Sequence, residues 1–213
     1  MLTHIGYTDL VQMLIGVIEI IRLKNEDLSR LDAVIGDGDH GITMLRAMEQ
    51  VRKVIDANPT GEISKLLDAI GWTLMGIDGG ATGPLYGSLF LGMSEATVGV
   101  NTLAGKDLAR MLEGGLASIE EQTKARAGDK TMMDALIPAV LTLRTSADQN
   151  KDISTMLKDA AEAALNGAQA TSLIPARYGR AKFQGERTIG YPDPGSISMA
   201  LVFQGFCNGL EKS

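Results

Sequence analysis

An all-α fold is what this chain predicts, specifically an eight-helix antiparallel up-and-down barrel or bundle. Three observations carry it. Apolar residues recur at steps of three and four through most of the sequence, no run alternates with period two between hairpin turns, and the segments between periodic stretches are short. Composition agrees: 45 % of residues are apolar but only 4 % aromatic, so the core must rest on Leu, Ile, Val, Met and Ala, which helices accommodate well. The 213 residues suffice for one sizeable core. No linker, low-complexity tract or internal repeat interrupts them, so one domain over 1–213 is expected.

The first helix is expected over 8–30, with Thr8 as N-cap. The second begins after His40, presents Ile42, Leu45, Met48, Val51 and Ile55 on one face, and stops at Asn58-Pro59. A third is expected over 63–77, and a fourth over 84–98 with Pro84 in its first turn. The fifth should span 106–126 and the sixth 131–146, where Pro138 either kinks the helix or marks its first turns. The alanine-rich seventh runs over 153–174, and the eighth over 196–210. His4 is expected in a loose N-terminus.

Charge and cysteine usage exclude several classes. A net charge of −6 and a pI near 5.0 argue against a nucleic-acid-binding surface. The apolar stretch "LVQMLIGVIEIIRL" contains Gln12 and Glu19 and is too short to span a bilayer. No basic segment followed by a small-residue cleavage site precedes it, so a cytoplasmic protein without a signal peptide or membrane contact is expected. Cys207 is the single cysteine; it fits a reducing compartment and should pack as a small hydrophobe.

Glycine is over-represented. It occurs 25 times in 213 residues, where ordinary usage of about 7 % would give about 15. Many glycines cluster at helix joints: Gly36, Gly38 and Gly41; Gly79, Gly80 and Gly83; Gly128; Gly185, Gly190 and Gly195. Glycine-rich turns feeding helix N-termini can aim several backbone N–H groups at one anion. Four such joints, each beside polar or charged residues, suggest a phosphate site at one end of the bundle.

The first joint, "VIGDGDHGITM", follows Asp32 and holds Asp37, Asp39 and His40. Three hard oxygen donors at this spacing suit Mg²⁺, which keeps some waters and takes other ligands from phosphates. They are equally the residues of turns and N-caps. An EF-hand is excluded: counted from Asp37 the sixth place is Ile42 rather than glycine, and counted from Asp32 the twelfth is Thr43 rather than Glu. His40 could donate to a phosphate oxygen or serve structurally. The second joint, "DGGATGPLYG", offers a phosphate cradle or a plain helix–helix turn. Neither a Walker loop nor a strand-linked G-x-G-x-x-G occurs. In the third, "ARAGDKTMMDAL", Thr131 or Asp129 could cap a helix, and Lys130 could face either an anion or solvent. The fourth, "RYGRAKFQGERTIGYPDPG", is the longest non-periodic stretch and holds Arg177, Arg180, Lys182 and Arg187. Such a loop is usually functional, and arginine suits bidentate phosphate contact, though a solvated basic loop would read the same way.

Taken in order, "LDAVIGDGDHG", "GGATGPLYG", "GDKTMMDAL", "GRAKFQGERTIG" and "DPGS" resemble the nucleotide-binding L subunit of dihydroxyacetone kinase, or the equivalent domain of one-chain kinases. The resemblance implies an eight-helix barrel with the nucleotide held at one end. It implies that Asp32, Asp37 and Asp39 ligate two Mg²⁺ ions bridging the phosphates of tightly bound ADP, or of ATP. It implies nucleotide contacts from His40, Gly41, Thr43, Gly80, Ala81, Thr82, Thr123, Met132, Arg180, Asp193, Pro194 and Gly195, with Arg180 also catalytic. Departures are Thr82 where serine is common, "QTKA" at 122–125 where many relatives read "RGKA", and Tyr191 in place of a histidine. The implied reaction is phosphoryl transfer to dihydroxyacetone, or a related keto-sugar, held on a separate K subunit. Recharging would come from a phosphohistidine on an M subunit of a phosphotransferase system. An ATP-dependent kinase subunit, and a regulatory module docking a transcription regulator, remain alternatives, and a homodimer is a further possible assembly. A helical scaffold with no ligand is the least specific reading.

Overall fold

The computed structural model describes residues 2–212. Eight α-helices account for most of them: α1 (Tyr7–Ile35), α2 (His40–Ala57), α3 (Ile63–Met75), α4 (Thr82–Glu95), α5 (Gly105–Gln122), α6 (Met133–Asp148), α7 (Ile153–Ala170) and α8 (Pro194–Glu211). Short 3-10 segments cover Thr171–Leu173 and Ala181–Thr188. Each helix packs against the next in sequence, and α8 returns against α1, so the helices form a closed ring. The expected all-α bundle is the architecture found. No helix is long and apolar enough to cross a membrane among the described residues.

The interior is aliphatic and sulfur-rich, as the low aromatic content requires. Leu10, Met13, Met44, Leu67, Met93, Met111, Leu136 and Met156 are all fully buried, and Phe203 packs edge-on against Phe206. Cys207 lies among them as a buried free thiol. The α1–α8 seam that closes the ring is a close backbone contact. A Cβ on Gly16 would lie 2.1 Å from the Gly205 carbonyl oxygen, and one on Gly209 would lie 2.1 Å from that of Gln12. Backbones that approach so closely exclude any side chain at the crossing.

Several boundaries differ from expectation. The first helix is N-capped by Gly6, not Thr8; Asp9 accepts from the Gly6 N–H (2.8 Å) and so holds the first turn. It also runs on to Ile35, because Leu28, Asp32 and Ile35 continue its buried face. Asp32 is therefore on a helix rather than in a loop. In α2 the buried face is Met44, Ala47, Met48, Val51 and Ile55, while Ile42 is 56 % exposed. Gly41 sets this rotation: its missing side chain lets α2 approach α1, where a Cβ would meet the Asn25 carbonyl at 1.9 Å. Helices α3 to α5 stop short of their expected ends, and α7 gives way to a 3-10 turn at Thr171. The eighth helix begins at Pro194, since Asp193 caps it by accepting from the Ser196 N–H (2.6 Å) and proline suits the first turn. Pro138 sits inside α6, and α7 packs its Gly167 onto the carbonyl of Asp134, the group that proline leaves without an intrahelical donor.

His4 is not loose. His4–Ile5 (β1) pairs antiparallel with Leu103–Ala104 (β2), a two-stranded clasp. It precedes α1 and α5, so it lies at the end where odd-numbered helices begin.

The α1–α8 seam makes a test. Gly16→Ala should destabilise the protein by about 1–3 kcal/mol, the usual cost of overpacking a close contact, read as a lower urea midpoint with an unchanged slope. An unchanged midpoint would show that the seam yields freely.

Candidate functional site

One cavity of about 350 Å³ opens at the end where odd-numbered helices finish and even-numbered helices start. Its lining comes from all four odd-to-even connections: the last turn of α1 through His40, residues 79–86, residues 123–133, and residues 178–195. The alternation of an up-and-down ring puts these connections together. The N-termini of α2, α4, α6 and α8 consequently share that end, each with a partial positive charge.

Asp32, Asp37 and Asp39 converge there, with one carboxylate oxygen from each lying within 4.8 Å of the others. Asp32 is buried in the last turns of α1 and accepts the His40 backbone N–H (3.2 Å), tying α1 to the start of α2. Asp37 and Asp39 are exposed on the connecting loop. Two glycines permit the arrangement: a Cβ on Gly36 would sit 2.1 Å from Asp32 Oδ1, and Gly38 takes φ +81°. Arg180 reaches across from the fourth connection and ion-pairs with Asp37, with Asp39 3.7 Å away. All-oxygen, anionic and partly open, the cluster has the donor chemistry of a Mg²⁺ site.

The remaining expected residues fall as follows. Gly80, Ala81, Thr82, Thr123, Met132, Asp193, Pro194 and Gly195 all line the cavity. Gly79 and Gly80 turn the chain with positive φ, and Gly79 packs onto the buried Thr43, where a Cβ would meet Thr43 Cγ2 at 2.3 Å. Gly41 and Thr43 thus shape the site from beneath rather than lining it. Ile35, Leu85, Met132 and Met133 form an apolar wall. Thr123 ends α5 and accepts the Ala125 N–H through its hydroxyl (3.1 Å).

His40 is more committed to protein than expected. Its Nε2 lies 3.0 Å from Ser198 Oγ, which is also 3.0 Å from the Tyr86 hydroxyl and donates to the Gly195 carbonyl (2.9 Å). Ser198 Oγ therefore bridges His40, Tyr86 and the Gly195 carbonyl. Burial lowers the His40 pKa, against the charge of Asp32 and a backbone hydrogen bond with Pro194. Tyr86 is fully buried and held in its neutral form. This Tyr86–Ser198–His40 chain joins α4, α8 and α2 and was missed in the sequence, where Ser198 reads as one more small core position.

Two further differences concern the third connection. Thr131 supplies the hydroxyl acceptor at the start of α6, taking the Met133 N–H (3.2 Å), whereas Asp129 accepts from Arg126 N–H and pairs with Arg177. Lys130 belongs to the cavity lining but is not a free cation there. It is 1 % exposed, and its ammonium donates to three backbone carbonyls.

Asp193 is half-buried, and desolvation of its carboxyl pushes its pKa up to about 7, against the Ser196 N–H and the Lys130 charge. The folded state therefore keeps a proton that the unfolded chain has already released. The resulting stabilisation is complete below pH about 4 and is lost as pH rises through about 7. Asp193→Asn keeps the helix-capping acceptor and removes the titration. The difference between its unfolding free energy and the parent's should therefore drift across that window, in the direction of relative stabilisation of the variant at higher pH. A pH-independent difference would show that Asp193 keeps an ordinary carboxylate pKa.

Residues 34–208 match the DAK2 domain family model. The chain is 37 % identical over 197 residues to the "PEP-dependent dihydroxyacetone kinase, ADP-binding subunit DhaL" of Escherichia coli, covering 92 % of this chain and 94 % of that protein. It is 40 % identical over 185 residues to the first such ADP-binding subunit of Listeria innocua, covering 87 % of each. Among solved structures it is similar to the dihydroxyacetone kinase from C. freundii in complex with AMP-PNP and Mg²⁺, with TM-score 0.75 and 26 % identity. That match covers 98 % of this chain and 35 % of the kinase, so the chain spans about a third of the one-chain enzyme. The chain therefore belongs to the DAK2 domain family, with the L-type subunits of dihydroxyacetone kinases.

Proposed function

We propose that this chain is the nucleotide-holding, phosphoryl-transferring subunit of a dihydroxyacetone kinase. The observation that carries the reading is the convergence of Asp32, Asp37 and Asp39 beside a cavity ringed by four helix N-termini, in a chain nearly co-extensive with named ADP-binding subunits. Asp32, Asp37 and Asp39 would hold two Mg²⁺ ions, which when bound supply positive charge that offsets the carboxylates and the nucleotide phosphates. The apolar wall of Ile35, Leu85, Met132 and Met133 suits a nucleobase.

Phosphoryl transfer needs positioning and charge neutralisation more than a protein nucleophile. The residues present meet that need. Gly80, Ala81 and Thr82 line the cavity at the start of α4 and bring a hydroxyl to it. Pro194 and Gly195 start α8, and His40 and Gly41 start α2. Arg180 is the mobile charge: its exposed guanidinium already faces the carboxylates and can move onto a phosphate oxygen as charge develops there. His40, Gly41, Thr43, Thr123 and Asp193 complete the contact set by holding those elements in place.

The acceptor, dihydroxyacetone or a close keto-sugar, would sit on a K subunit, since the relatives this chain matches along most of their length are named as ADP-binding subunits. The relatives named PEP-dependent favour bound ADP recharged by a phosphohistidine-bearing M subunit over exchangeable ATP. A lone buried thiol fits a cytoplasmic location.

Protein purified without added nucleotide and then denatured should release stoichiometric ADP, identified by chromatography and mass. Reversible binding of added Mg-ATP to empty protein would instead place the chain in the ATP-dependent class, and binding of neither would overturn the reading. Asp37→Ala should lose the nucleotide while keeping its helical circular dichroism and the unfolding midpoint of the nucleotide-free parent, because Asp37 is exposed. Arg180→Ala should slow transfer by about 10²-fold at unchanged stability, the usual cost of removing one charge-stabilising donor. A wild-type transfer rate would remove Arg180 from the reaction.

A further inference from the structure

We infer that Lys130 is a positioning residue for this reaction: its buried ammonium holds the 171–193 loop shut at its neck and thereby sets Arg180 over the carboxylates. The inference rests on the proposed function for its consequence, though not for its geometry.

The loop leaves the end of α7 and returns to the start of α8, and its two ends meet. The Gly190 N–H donates to the Ser172 carbonyl (2.7 Å), and the Asp193 N–H donates to the Thr171 hydroxyl (2.8 Å). Within it, the Ala176 N–H donates to the Thr188 hydroxyl (2.9 Å). The carbonyls of Thr171, Thr188 and Tyr191 point inward at the neck, and Lys130 Nζ donates to all three, at 2.6, 3.0 and 2.5 Å. An ammonium has three N–H donors and no acceptor, so every donor is used. The side chain acts as a tethered cation at a point where the loop presents only acceptors.

The backbone at Lys130 shows that the side chain matters. Lys130 has φ 61°, in the left-handed region that glycine or asparagine occupies at lower cost. A long, cationic side chain is kept in that conformation and buried completely. The preceding residue fastens the same loop: the Arg177 N–H donates to the Asp129 carbonyl (3.2 Å), and the Arg177 guanidinium pairs with the Asp129 carboxylate.

The loop's outer part is what reaches the site. Tyr178, Gly179, Arg180 and Ala181 line the cavity, and Arg180 meets Asp37 and Asp39. Met132, two residues beyond Lys130, belongs to the apolar wall. Lys130 thus couples one wall of the cavity to the arginine-bearing segment that crosses its mouth.

Lys130→Met keeps the length and removes the donors. Amide hydrogen exchange in the nucleotide-free protein should quicken by about tenfold or more at Ala176, Gly190 and Asp193, while α1 and α3 keep their protection. Release of bound nucleotide should quicken likewise. Because Lys130 acts through Arg180, adding Lys130→Met to Arg180→Ala should change release by less than about twofold, where independent effects would multiply. Should the methionine variant fail to fold, Lys130→Gln, with two donors, should show the same loop-confined change at smaller amplitude. Unchanged exchange in the loop, loss of protection spread evenly over all helices, or multiplicative release rates would each overturn the inference. If the parent retains no nucleotide, the exchange experiment still decides the role of Lys130 in closing the loop, and the functional reading fails separately.

Discussion

Mutual repulsion among three carboxylates is the constraint around which the cavity end of this barrel is organised. Asp32, Asp37 and Asp39 approach within 4.8 Å, a spacing that like charges resist unless something positive is near. The fold brings positive potential from several sides: the N-termini of α2, α4, α6 and α8, and the guanidinium of Arg180. Asp32 is further engaged by the backbone N–H of His40. A divalent cation would complete the same balance.

The closed ring follows from simpler rules and makes this balance available. Short connections force neighbouring helices to alternate in direction, and alternation gathers four N-termini at one end. Closing the ring demands that α1 and α8 touch along backbone at Gly16, Gly205 and Gly209. The opposite end carries the short β1–β2 clasp and the even-to-odd helix connections. The last turns of α1 hold Asp32 and the short α1–α2 connection holds Asp37 and Asp39, while the longer 171–193 loop carries the arginine.

Local chemistry explains why so much was legible. Each glycine-rich joint announces itself by residues that are costly anywhere else, and the carboxylates lie within one short segment, so their meeting needs no long-range contact. Asp193 and Pro194 signal a helix start by capping chemistry alone, although the helix begins two residues earlier than periodicity suggests. Where periodicity misled, a neighbour was responsible. Ile42 belongs to an apolar stripe on paper but is exposed, because Gly41 must face α1 and its position fixes the rotation of α2.

Helical class, the number of helices, the acidic cluster and the four joints were all determined by the sequence, because each depends on residues within a turn or two of one another. Tertiary structure alone decided what those joints do together. The Tyr86–Ser198–His40 chain joins residues 112 and 158 positions apart, and the Lys130 ammonium meets carbonyls 41, 58 and 61 positions away. A lysine beside glycine and aspartate reads as solvated until three inward-facing carbonyls are placed around it. Such contacts are made by ring closure and loop return, and no local pattern encodes the distance between two ends of a chain.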